Sequence, residues 1–239
     1  MKHLKDSFYG VVFRTCRGIV RRLYPTYKVQ LPSNLKGPIV YITHHQNFFG
    51  PFIVLLWFTR NVHAWILYVF LKGKSCYQQY VNYTFTKRLG WNPTLAKLCA
   101  YPISFFMAKL LNSCRGIPVY RGSRKIIETF KQSIVSLGNG ESLVIFPDTE
   151  YSDNSPEIKA MYEGFLSLEQ YYLKATGEHL CFVPLYVSKQ KRTIVANQVI
   201  YFRDGKLFKE EKKIVYDKIQ AELNRLAVAC GDSKQVERN

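Results

Sequence analysis

Residues 38–50 read Pro-Ile-Val-Tyr-Ile-Thr-His-His-Gln-Asn-Phe-Phe-Gly, and this stretch decides the fold. Pro38 to Thr43 is a short β-branched run of the kind that forms a strand buried on both faces. Such strands belong to parallel sheets covered by helices. His44 and His45 follow at once, where the chain leaves the sheet, and α/β proteins keep their sites at strand ends. A histidine titrates near neutral pH, so His45 is a candidate general base for a hydroxyl attacking an acyl carbonyl.

Outward from this strand the pattern alternates. Tyr27 to Leu31 reads as an edge strand. Ser123 leads a capped helix through Ile126, Ile127, Phe130, Ile134 and Leu137, closed by Gly138, and Ser142 to Phe146 is a second buried strand. A helix around Tyr162 to Ala175, strands near Cys181 to Val187 and Thr193 to Phe202, and a charged helix from about Phe208 to Cys230 complete the series. The last ten or so residues read as frayed. With no repeat and no Gly/Pro/Ser-rich linker in the sequence, residues 1–239 are expected to form a single α/β layered domain. Its central sheet is expected to be mostly parallel and flanked by helices.

Residues 1–24 carry Leu4, Phe8, Val11, Val12, Ile19, Val20 and Leu23 at helical spacing, with Arg14, Arg17 and Arg21 on another face. The resulting basic amphipathic helix stops before Pro25. It suits an anionic bilayer surface, and its apolar stripe suits packing on the domain equally well. The segment lacks the unbroken apolar core and small-residue cleavage site of a secretory leader, so the mature protein is expected to begin there.

The formal charge is +17, from 34 Lys and Arg against 17 Asp and Glu. That balance calls for an acidic partner: anionic lipid, a phosphate-bearing cofactor, an acyl carrier protein or nucleic acid. Aromatic residues make up 15% of the chain, which tilts the choice to a membrane surface. Nucleic acid is not expected, since no RNP-like motif, zinc finger or heptad-linked basic region is present in the sequence. Six scattered cysteines without a C-x-x-C pair indicate reduced thiols and no zinc site. The most apolar stretch, Phe48 to Leu71, is broken by Arg60, Asn61 and His63 into runs shorter than the roughly 18 residues that span a bilayer. A peripheral or monotopic attachment is expected.

Thr43-His44-His45-Gln46-Asn47-Phe48-Phe49-Gly50 resembles the first motif, N-H-x-x-x-x-D, of the lysophosphatidic acid acyltransferase family. Arg115 to Gly122 (Arg-Gly-Ile-Pro-Val-Tyr-Arg-Gly) resembles its second motif, and Phe146-Pro147-Asp148-Thr149-Glu150-Tyr151-Ser152 its third, F-P-E-G-T-R-S. Gly164-Phe165 and Val183-Pro184 are similar to smaller elements that follow. The order agrees across residues 38–187, a more specific signal than any one motif.

The resemblance implies an O-acyltransferase that moves a fatty acyl group from acyl-CoA or acyl carrier protein to a hydroxyl of a lysophospholipid or related glycerolipid. The expected place is the cytoplasmic face of a membrane. It places His45 on the catalytic histidine and Arg121 on the acceptor's phosphate, with His44, Thr149 and Tyr151 grouped beside Arg121 as acceptor-binding residues. It calls for no metal and no bound cofactor. Amides of the Phe146-to-Glu150 turn would polarise the carbonyl oxygen. Phe48, Phe49, Phe52, Trp57, Trp65 and Phe70, with Phe105, Phe106 and Met107, line an acyl channel on this reading or simply pack.

The departures fall on functional positions. The motif aspartate that orients the histidine is Gly50, and Asp148, Thr149 and Tyr151 stand where the third motif has Glu, Gly and Arg. Three explanations stay open: an orienter from elsewhere, for which Asp148 and Glu150 are the candidates; a slower or different acyl transfer; or a catalytically lapsed, lipid-binding protein on the same fold.

Overall fold

A computed structural model describes residues 8–33, 35 and 37–234 of the chain. Leu4 of the expected N-terminal helix and the last five residues of the expected frayed tail lie outside the described residues. In chain order the elements are α1 (Val11–Leu23), β1 (Lys28–Gln30), β2 (Val40–Ile42), α2 (Phe49–Trp57) and β3 (Val62–Leu67). Then come a 3₁₀ turn (Tyr68–Leu71), α3 (Gly73–Gln79), a π-helical segment (Tyr80–Arg88), α4 (Pro93–Ser113), β4 (Ile117–Val119) and α5 (Ile126–Gly138). The rest are β5 (Ser142–Ile145), a 3₁₀ turn (Glu163–Ser167), α6 (Leu168–Thr176), β6 (Phe182–Pro184), β7 (Tyr186–Ser188), β8 (Thr193–Val195) and α7 (Phe208–Ala229).

The protein is α/β, with parallel strands and flanking helices as expected. Its contacts divide it into two compact units. One takes in the described residues up to Ile19 with His63–Gln132; the other takes in Val20–Val62 with the described residues from Ser133 onward.

In the second unit β2 lies between β5 and β6, parallel to both, with Val40 level with Leu143 and Phe182. All three residues of β2 and all four of β5 are buried, which is why both runs are apolar without alternation. β1 pairs parallel with β8, and β8 antiparallel with β7, so β1 is the edge strand its alternation suggested. The expected long strand from Thr193 to Phe202 is shorter: after β8 only Ile200 rejoins the ladder, as a single bridge to Phe182. α7 covers β6 and β7, its Val215, Ile219, Leu223 and Leu226 turned inward at helical spacing.

In the first unit β3 and β4 pair in parallel, Trp65 level with Ile117. The Ser123 hydroxyl accepts the Lys125 amide at 3.2 Å and starts α5 where the sequence placed a cap. α3, the π-helical segment and α4 pack together over Val81, Phe85, Ala96 and Ala100.

α1 packs only part of its stripe on the protein. Phe13 is buried, whereas Leu23 is 83% exposed. Arg17 lies over the rings of Tyr9 and Phe13, and Arg21 donates to the Leu56 carbonyl at 2.7 Å while covering Trp57.

Candidate active site

β2 and β5 run parallel and side by side, so the residues after Ile42 and after Ile145 leave the sheet at the same end. This brings His44 and His45 to Asp148. The Asp148 carboxylate is buried and uses both oxygens: Oδ1 meets His44 Nδ1, and Oδ2 accepts the His45 backbone amide at 2.9 Å. The aspartate offered by the sequence as an orienter therefore engages the ring of His44 and the main chain of His45.

His44 is 3% exposed, and its Nε2 faces the Ser155 carbonyl at 2.9 Å. A carbonyl only accepts, so Nε2 carries a proton, and a second proton is shared between Nδ1 and Asp148. Neither ring nitrogen keeps a lone pair for a substrate. His44 is thus a pinned structural group, and deleting one member of so buried a pair typically costs about 3–5 kcal/mol.

Ser155 arrives on a loop tied at its base. Asp148 bridges Met161, the Thr149 amide donates to the Ala160 carbonyl at 3.2 Å, and the Tyr162 amide donates to Pro147 at 2.7 Å. Within it the Asp153 carboxylate accepts the Ser155 amide at 2.8 Å and pairs with Lys159 at 3.0 Å. Burial works against ionising Asp153, yet the Ser155 amide and the Lys159 ammonium outweigh it and hold the carboxyl down at about 2. Glu150 and Thr149 are exposed on the same loop, and the charge of Glu150 acts on Lys159. The turn is a poorer oxyanion donor than expected, because Pro147 has no N–H and the Thr149 amide is spent on Ala160.

His45 is half-buried, and the rings of Phe48, Tyr151 and Phe146 lie 5.1, 5.2 and 6.0 Å from its own. Its Nδ1 accepts the Phe48 amide at 3.1 Å. In the neutral ring the proton then sits on Nε2.

The backbone explains that contact. Gln46, Asn47 and Phe48 all have left-handed φ, at 44°, 50° and 74°, a tight turn that swings the Phe48 amide back onto the histidine. Buried Gln46 hydrogen-bonds the Tyr186 phenol, whose burial pushes its pKa far up. The turn delivers α2 so close to β2 that a Cβ at Gly50 would stand 2.0 Å from the His44 carbonyl oxygen. Glycine occupies the motif-aspartate position because nothing larger fits there.

Arg121 is exposed two residues beyond β4, in the other unit, and Gly122 after it has φ +66°. Sequence reasoning missed the Ser155 carbonyl and the Phe48 amide. Asn47, tolerant of left-handed backbone, was the one residue-level signal of the turn.

No family model matches the chain, and no curated protein matches it significantly. Among solved structures it is similar to the 1-acyl-sn-glycerophosphate (LPA) acyltransferase PlsC from Thermotoga maritima. The TM-score is 0.49 and the identity 10%, over 90% of this chain and 79% of that one.

Proposed function

We propose that this protein is an O-acyltransferase that passes a fatty acyl group from a thioester, acyl-CoA or acyl carrier protein, to a hydroxyl of a lysophospholipid or related glycerolipid at a membrane surface. The observation that carries the reading is the paired histidine at the end of β2, held by Asp148 from the end of the neighbouring parallel strand. It joins the first and third of the ordered motifs in one place.

In this mechanism the acceptor hydroxyl attacks the thioester carbonyl carbon while His45 Nε2 takes its proton. Collapse of the tetrahedral intermediate expels the thiolate, which recovers that proton from His45, leaving an ester and a thiol. Asp148 and His44 act by positioning: they fix the main chain that carries His45. For Nε2 to accept a proton the neutral ring must hold its own on Nδ1, so the Phe48 amide has to turn away when substrate binds. Arg121 is assigned to an anionic part of the acceptor, with Tyr151 beside the base.

A second reading is favoured by that same amide contact. A histidine whose Nδ1 is capped by Phe48 holds its Nε2 proton, and the protein then binds lipid without turnover.

The test is acyl transfer from labelled acyl-CoA and acyl carrier protein to a panel of phosphorylated and unphosphorylated lipid acceptors. Turnover by wild type that falls by about 10³-fold or more in His45→Ala supports the enzyme. Vesicle binding with no transfer to any acceptor supports the second reading.

A further inference from the structure

Helix α4 is built the wrong way round for a helix covering a water-soluble core. Its inward row is Ala96, Ala100, Ser104 and Ala108, small residues at four-residue spacing, all buried. Its large apolar side chains face out: Leu98 is 73% exposed, Tyr101 64%, and Phe105 and Phe106 50% each. A core-facing helix turns such side chains inward. Among the described residues α4 is the one helix long and apolar enough to cross a membrane, and only 22% of its apolar window is buried. α3 and the π-helical segment pack against it. One face is therefore occupied by protein and the other is open, the arrangement of a helix lying along a surface rather than crossing it.

The charge along this part of the chain is one-sided. Between Asp6 and Glu128 the chain has no Asp or Glu and carries 17 Lys and Arg, so this stretch accounts for the whole formal charge of +17. Lys74, Lys87, Lys97 and Lys109 are exposed on the same helical block. Trp91, 37% exposed, precedes α4, and Trp and Tyr favour the level of lipid headgroups. A broad apolar face on a helical block that bears exposed lysines and, over residues 73–113, no acidic residue complements an anionic bilayer: hydrocarbon beneath, phosphates around.

We propose that α4 is the element by which this protein enters an anionic membrane. Its Leu98–Phe106 face sinks to the acyl boundary, and Lys97 and Lys109 lie among the headgroup phosphates. The proposal deepens the membrane-surface part of the function above and requires no acyl transfer.

The test uses the full chain and vesicles of phosphatidylcholine with and without phosphatidylglycerol, in a flotation assay containing no acyl donor or acceptor. Wild type should float with the anionic vesicles, and the triple variant Leu98→Glu, Phe105→Glu, Phe106→Glu should partition at least about tenfold more weakly. Its circular dichroism and thermal midpoint should match wild type, because all three side chains are exposed. A single Leu98→Trp variant should have its added fluorescence quenched by brominated lipid. Equal partitioning of the folded triple variant, or absence of that quenching, would overturn the proposal. So would a lipid-free wild-type dimer that the triple variant dissociates, since a second copy would then cover the face. Flotation without any transfer would leave α4 as the docking element and refute only the enzyme.

Discussion

At Gly50 one missing side chain changes the chemistry available to His45. The family-like spacing puts an aspartate there to accept the histidine's Nδ1 proton; here the His44 carbonyl fills the space, and Nδ1 accepts the Phe48 amide instead. We expect Gly50→Ala to destabilise by about 3 kcal/mol or more, as a thermal or denaturant melt would show, because the obstruction is backbone with no rotamer to yield. A melt near wild type would contradict a backbone obstruction at this position. The histidine pair itself was legible, since a β-branched run ending in two histidines marks a strand end. Which histidine meets Asp148 was not. Neighbouring side chains point to opposite sides, and that choice is fixed by β2–β5 register and by the 46–48 turn, neither of which leaves a pattern in composition.

Among the elements, the loop from Thr149 to Ala160 does work that no periodicity announced. It has no regular structure to leave a trace, yet it supplies the carbonyl that fixes His44 Nε2. Asp153 holds it, with a carboxyl pKa of about 2 against an ordinary 3.8. A depressed carboxylate contributes stability above its unfolded value and loses it as pH falls through the folded one. The contribution of Asp153 should therefore be whole above about pH 4 and gone near pH 2. Thermal midpoints of wild type and Asp153→Asn should differ at neutral pH and converge in acid; a gap unchanged at pH 2 would refute this role. Strands and long helices were more readable: α5 and α7 begin and end close to their expected bounds because a 3.6-residue stripe marks both and a serine cap marks α5. α4 was missed, since a search for the most apolar stretch favours Phe48–Leu71. That stretch folds as α2, β3 and a 3₁₀ turn, with Ile53, Val54, Phe58, Val62 and Ala64 buried. Phe105 and Phe106, expected in an acyl channel or a core, are instead half-exposed on α4.

For the molecule as a whole, the basic excess is uneven, because the acid-free stretch between Asp6 and Glu128 carries all of it. α4 and its lysines belong to the unit that takes in His63–Gln132, while His44, His45, Asp148, Glu150 and Asp153 belong to the other. Membrane entry and proton transfer are thus assigned to different parts of the chain and can be tested apart. Geometry and function meet in the change of tautomer at His45, and nitrogen NMR of its imidazole reads it directly. In the free protein the neutral ring should carry its proton on Nε2, with the Phe48 amide on Nδ1. With a non-transferable acyl-CoA thioether and a lipid alcohol bound together, the proton should move to Nδ1, freeing Nε2 to act as a base. A proton that stays on Nε2 in both states would contradict the acyltransferase and leave a protein that holds lipid without transforming it.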